Sequence, residues 1–334
     1  KTNQRSDATT TALDQPTVHS SSIMSYVAQQ QKVKAEGFVS EAQAALGKKG
    51  WFVSKEKQAE EAAELYDKAG NAYKAGGFLD EAGDAFQKAG NIFREELKEA
   101  FQASKSLENA ASCFRKANPE KAVEAYQTAM MMQMEQGRLL AAAKLAEKLA
   151  EMYISEEMEK DGKSTELLAI EQYKQAADLF DSEDSTSKAL SCREKVADLY
   201  AIEMDPPNYM EAKQIYAQLA ETCLGMNLMK YHAKGHFCKA ILCDLAQGDM
   251  VAASKQLRQA TGLDYTFLQS REGKFVQDLM KSVEEYDPQA FATACTDFNK
   301  ITKLTPWQTQ ILLQIKKIMD EEHGTGEGDE VDLR

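Results

Sequence analysis

Little in this sequence would build a sheet, a pore or a disulfide framework. There are six prolines in 334 residues and only scattered β-branched runs, while abundant Ala, Glu, Lys, Gln and Met favour helix. No apolar run approaches the ~18 to 20 residues that a membrane-crossing helix needs, so the chain reads as soluble. Basic charge is in deficit: 40 Lys and Arg stand against 53 Asp and Glu, a formal net charge of −13. Such a surface does not hold a phosphate backbone non-specifically, which excludes general nucleic-acid binding. The cysteines at 113, 192, 223, 238, 243 and 295 lack CxxC spacing and occupy alanine-like helical positions. They read as reduced, packed thiols of a cytosolic protein.

Catalytic and cofactor motifs are equally scarce. His232 and His236 stand four apart, a spacing that can offer two imidazoles to one metal, but Ala233 follows the first where a metalloprotease helix carries Glu, and no third ligand is evident. Gly162-Lys163-Ser164 ends like a phosphate-binding loop, yet Glu157 occupies the place of its first glycine. Gly324, Gly326 and Gly328 follow no strand, which excludes a dinucleotide fingerprint. With no defensible nucleophile–base pair, the chain reads as non-enzymatic, without cofactor or metal.

What is present is a repeated pattern, an Ala, an aromatic four residues on, and another Ala three further. It occurs at Ala62/Tyr66/Ala69, Ala82/Phe86/Ala89, Ala110/Phe114/Ala117 and Ala122/Tyr126/Ala129, with looser copies at Ala169/Tyr173/Ala176 and Ala212/Tyr216/Ala220. These spacings put all three residues on one face of an α-helix, where small residues admit a neighbouring backbone and the ring fills the space beside it. The copies at 82, 122, 169 and 212 lie 40 to 47 residues apart, the length of one helical hairpin with its turns. The expected fold is all-α, a TPR-like array of helical hairpins forming an extended curved sheet of helices, followed by a C-terminal helical bundle.

Four segments follow. Residues 1–30, rich in Ser, Thr and Gln, read as disordered and carry no apolar secretory region. Residues 31–226 are the repeat array, with helices expected at 31–46, after the Ser54 cap, and at 79–96, 107–117, 119–136, 139–154, 165–181, 186–203 and 208–224. Residues 227–319 hold helices at 229–246 and 249–262 and then, where the pattern lapses, at 270–285, 288–303 and 306–321, headed by Ser270, Asp287-Pro288 and Thr305-Pro306. Residues 320–334 form a Gly-broken, acidic, mobile tail.

Three surface features have both a plain and a functional reading. Trp51-Phe52-Val53, beside Lys48 and Lys49, can staple a helix–helix loop or dip into an anionic membrane. Met130, Met131, Met132 and Met134 can fill the core flexibly or line a promiscuous groove, and read as core filler. Arg138, Lys144, Lys148, Arg193, Lys195, Lys230, Lys234 and Lys239 are ordinary solvated charges unless successive hairpins align them, in which case they suit an acidic partner.

The chain resembles the soluble NSF attachment protein family, in its alpha type, over residues 35–334. The segments that carry the resemblance are Asn118-Pro-Glu-Lys-Ala-Val-Glu-Ala-Tyr126, Gln136-Gly-Arg-Leu-Leu-Ala-Ala-Ala-Lys144, Ala233-Lys-Gly-His-Phe-Cys-Lys-Ala-Ile-Leu-Cys243, Trp307 with Ile311-Leu-Leu-Gln-Ile-Lys-Lys317, and the terminal Asp332-Leu333-Arg334. The resemblance implies a cytoplasmic adaptor, peripheral on membranes, that binds an assembled SNARE four-helix bundle and recruits and stimulates the hexameric ATPase NSF. It places SNARE contacts at Arg138, Lys144 and Lys195 with an apolar contact at Leu228 or Met229, and membrane contact at Trp51, Phe52, Val53, Lys48 and Lys49. It places NSF contacts at Asp249, Glu284, Glu285, Asp332 and Leu333. Ser191 stands where the family has a lysine, and Lys281 where it has an acid. The other reading is a general TPR-like scaffold for an extended peptide, unrelated to membrane fusion.

Overall fold

In the computed structural model, which describes residues 18–47, 54–155, 158 and 165–322, the Ala/ring pattern lies inside. Every member of the six copies is buried except Ala117, which ends its helix in solvent. Glycines within the same helices take part. The ring of Phe86 stands 2.8 Å from where a Cβ on Gly70 would be, and that of Phe114 stands 2.5 Å from the same point on Gly83. Ring seats on glycine as well as beside alanine, and this closeness lets consecutive helices pack. Fourteen α-helices and no strand occur among the described residues.

The chain divides at Gly137/Arg138 into two compact units. In the first, α1 (Val18–Gly47), α2 (Lys55–Gly76), α3 (Leu79–Glu95), α4 (Ala100–Ala117) and α5 (Pro119–Glu135) each pack on the next along the chain. Ser54 accepts the Lys57 amide at 3.2 Å to start α2, and Asn118 accepts the Lys121 amide at 3.2 Å with Pro119 in the first turn of α5. α2 ends at Gly77, whose φ of 82° needs a residue without Cβ and whose N–H reaches the Lys74 carbonyl.

Two helix starts in the first unit differ from expectation. α1 begins at Val18, inside the stretch expected to be disordered, because serine and glutamine tolerate helix once Ala35, Ala42 and Ala45 anchor its later turns; residues 1–17 lie outside the described residues. α4 begins at Ala100 rather than 107. Its polar Ser104 and Ser106 are buried with partners, Ser104 donating to the Phe101 carbonyl at 3.1 Å and Ser106 to Asp67 of α2 at 2.9 Å. Burial raises the Asp67 pKa, and the Ser106 hydrogen bond only partly offsets it.

The second unit contains α6 (Leu139–Tyr153), α7 (Thr165–Ser182), α8 (Thr186–Asp198), α9 (Tyr209–Leu224), α10 (Ala233–Leu245), α11 (Met250–Leu263), α12 (Arg271–Glu284), α13 (Pro288–Ile301) and α14 (Pro306–Glu322). α8 widens into a π-helical turn at Leu199–Glu203 instead of running on as α-helix. α10 begins at Ala233 rather than 229; residues 226–232 form successive turns, closed by bonds such as Met229 N–H to Met226 C=O at 3.0 Å and His232 N–H to Met229 C=O at 2.8 Å. α10 packs on α9, α11, α12 and α14 and is the most enclosed helix of the unit. One apolar core runs from Leu190 on α8 to Met319 on α14, and the expected boundary at 226/227 falls within it. Tyr216 of α9 meets Trp307 of α14 edge-on at 5.6 Å, and Phe275 stacks on Phe298 at 4.2 Å. All six cysteines are free and buried.

Candidate partner-binding surfaces

The positions of the cations follow from the ring pattern. Lys195, near the end of α8, lays its ammonium over the ring of Tyr173 on α7, 4.9 Å from the centroid. It goes on to Glu151 of α6 at 3.3 Å. One repeat later Lys239 of α10 does the same. Its ammonium lies 5.0 Å from the rings of both Tyr216 on α9 and Trp307 on α14, and it reaches Glu194 at 2.9 Å and Asp198 at 2.8 Å on α8. Each lysine thus spans the helix between, joining α8 to α6 and α10 to α8. The Tyr216 hydroxyl donates to Asp198, closing the second clamp. Cation, ring and carboxylate combine here where part of the water has been removed, which strengthens each contact.

The protonation states agree. Burial works to lower the Lys195 pKa, but Tyr173 and Glu151 outweigh it and hold the ammonium above its ordinary value. Burial likewise opposes the charge on Lys239, and Asp198 and Glu194 overcome it. Burial would raise Glu194; the Lys239 ammonium instead keeps it below the usual carboxylate range.

Glu151 lies seven residues after Lys144 on α6, two helical turns along one face. Lys195 therefore ends on the face that carries Lys144, which is exposed and makes no ion pair among the described residues. Arg138 is exposed at the head of the same helix. The face is mixed in charge, because Glu147 also lies on it and accepts from the Cys192 thiol at 3.5 Å; burial and that carboxylate push the thiol up to about 12. Leu228 stands 91% exposed in the turns before α10, whereas Met229 packs against the core.

The acidic positions occupy different elements. Asp249 caps α11 by accepting the Ala252 amide at 2.8 Å. Glu284 and Glu285 are exposed at the end of α12, and Glu285 pairs with Lys281 one turn before it at 4.0 Å. Glu285 lines an open groove between α12 and α13 together with Asp278, Asp287 and Asp297. Sequence reasoning missed Asp278 and Asp297 and took Asp287 only as a cap; the seven-residue step from 278 to 285 was the available signal.

Lys48, Lys49, Trp51, Phe52 and Val53, the Gly162-Lys163-Ser164 motif, and Asp332 and Leu333 of the tail lie outside the described residues. The methionine cluster is split: Met130 and Met132 are buried as core filler, whereas Met131 and Met134 are exposed, contrary to expectation. His236 places Nδ1 3.9 Å from Glu194, but the Lys239 ammonium already holds that carboxylate. Among the described residues no group of three or more His, Cys, Asp or Glu could hold a metal ion. No described helix is long and apolar enough to cross a membrane.

The sequence profile of the family described as "Soluble NSF attachment protein, SNAP" matches residues 33–320. The chain is 32% identical over 284 residues to the alpha-soluble NSF attachment protein of Vitis vinifera, spanning 85% of this chain and 93% of that one. It is 36% identical over 275 residues to the vesicular-fusion protein SEC17 of Coprinopsis cinerea, spanning 82% and 92%. With the alpha-soluble NSF attachment protein of Mus musculus it shares 32% identity over 281 residues, spanning 82% and 87%. With a profile that covers α2 to α13 entire and relatives similar over most of their length, the chain belongs to the soluble NSF attachment protein family.

Proposed function

We propose that this chain is the adaptor that couples an assembled SNARE bundle to the NSF ATPase for disassembly in vesicle fusion, and that it does so with the α6–α8 face on one side and the α11–α13 acids on the other. The observation that carries this reading is the placement of Lys195 on the Lys144 face of α6, which puts two cations within reach of one acidic partner. Arg138 adds a further exposed cation at the head of α6, and Leu228 supplies an exposed apolar contact. Charge pairs at such a rim steer and orient more than they bind, and several weakly bound copies on one bundle act together. Asp249, Glu284, Glu285 and the Asp332-Leu333 end would meet cationic ground on NSF, Leu333 anchoring the tail by burying one side chain. Trp51, Phe52 and Val53, with Lys48 and Lys49, would touch the membrane peripherally.

Co-precipitation with an assembled SNARE bundle and NSF-driven disassembly test both halves. Lys144→Glu is expected to weaken SNARE capture, the loss growing as salt is lowered. Leu333→Ala is expected to keep SNARE capture and lose disassembly. Full capture by the first variant, or full disassembly with the second, would remove the corresponding assignment.

A further inference from the structure

A pocket of about 280 Å³ opens where α10, α12, α13 and α14 converge, with the Lys239 clamp as one wall. Three of the six buried side-chain polar atoms that lack a partner among the described residues belong to this region: His236 Nδ1, Thr302 Oγ1 and Trp307 Nε1. His236 is only 8% exposed, and both it and Thr302 line the pocket. His236 Nδ1 and Thr302 Oγ1 are therefore two buried polar atoms free to bond a group placed in the pocket.

The surroundings favour an anion. Gly235 and His236 bring the first turn of α10 to the pocket; that helix has no side-chain cap, and the space beyond the Gly235 Cα is open. His232, Gly235, His236 and Lys239 follow one another along one flank of the helix, so the pocket lies against its side with the small Gly235 leaving room. The two carboxylates on the wall are already engaged, Glu194 by Lys239 at 2.9 Å and Glu272 by Arg271 at 2.6 Å. Lys303 is exposed at the rim and makes no ion pair among the described residues. A cation is disfavoured, because an ammonium already sits on Glu194, the nearest acid to the two histidines.

We propose that this pocket binds a small oxyanion of the phosphate class, inorganic phosphate or a soluble phosphomonoester, held by Lys303, His232, the Thr302 hydroxyl and His236. Burial keeps His236 neutral against the opposing pull of Glu194. Glu194 and Asp198 from α8, His232 and Lys239 from α10, Arg271 and Glu272 from α12, and Lys303 after α13 are the charged and titratable groups around it. A bound anion favours the imidazolium, so binding draws a proton onto His236.

Calorimetric titration of the full chain with inorganic phosphate and with glycerol 3-phosphate, each against sodium chloride at equal ionic strength, tests this. One saturable site is expected, and His232→Ala with Lys303→Ala, both at exposed positions, should weaken it by roughly tenfold or more with the helical circular dichroism unchanged. His236→Gln should weaken it as well and lessen the proton uptake that accompanies binding, measured as buffer-dependent heat. Phosphate alone would define a simple anion site, and binding of both ligands a site with room for an organic group. No saturable heat beyond the chloride control, or equal affinity in the double variant, would overturn the proposal and leave the pocket to water.

Discussion

Gly83 has no side chain, and the ring of Phe114 stands 2.5 Å from where its Cβ would be. Alanine there gains about 1 kcal/mol of helix propensity but forces the ring off its seat, and overpacking of this kind costs about 1–3 kcal/mol. The steric cost outweighs the propensity gain, so Gly83→Ala is expected to lower the thermal midpoint. Gly37 on α1 is the control. It is exposed, and a Cβ there meets nothing within 4 Å, so Gly37→Ala is expected to raise stability by up to about 1 kcal/mol. Thermal unfolding of the two variants beside wild type checks both, and a stabilised Gly83→Ala would show that Phe114 has room to move. The sequence disclosed the rings and their alanines but not these glycines, since nothing local distinguishes a glycine under a ring from one in solvent.

Helix ends were legible because caps are local. Asp287 accepts the Ala290 amide at 2.9 Å and stands before Pro288 at the head of α13, as its sequence predicts. Thr305 and Gln308 exchange bonds reciprocally at the head of α14. Asp287→Ala is expected to cost about 1 kcal/mol, whereas Asp287→Asn keeps the acceptor and most of the stability; denaturant titration separates them. Equal losses in both would mean that the charge in the α12–α13 groove matters more than the cap. The start of α4 was not legible, because Ser104 and Ser106 read as loop residues until Phe101 and Asp67 are seen to receive them. The Lys195 clamp was hidden for the same reason on a longer scale. Its ring is on the preceding helix and its acid on the one before that, and only packing brings the three together.

At the scale of the whole molecule, a net charge of −13 leaves acid stability to particular groups, and His236 is one of them. Its folded-state pKa lies below the ordinary value of 6.5, because burial penalises the imidazolium. The unfolded chain therefore binds more protons in that window, and stability rises with pH through it. The contribution is complete above about 6.5 and is lost as pH falls toward the lower, folded value. Thermal midpoints measured from about pH 8 down to about pH 5.5 should fall below neutrality, and His236→Gln should flatten the slope. An unchanged slope in that variant would move the effect to other groups. The Lys195 clamp has a consequence of its own for a cycle of capture and release. An incoming carboxylate that draws Lys195 outward must detach it from Glu151 and from the Tyr173 ring, so recognition there exchanges one ionic partner for another and the net gain is small. In the proposed role, such a tether would find its target by charge and let go readily once the target has been dismantled, leaving each copy ready for another round.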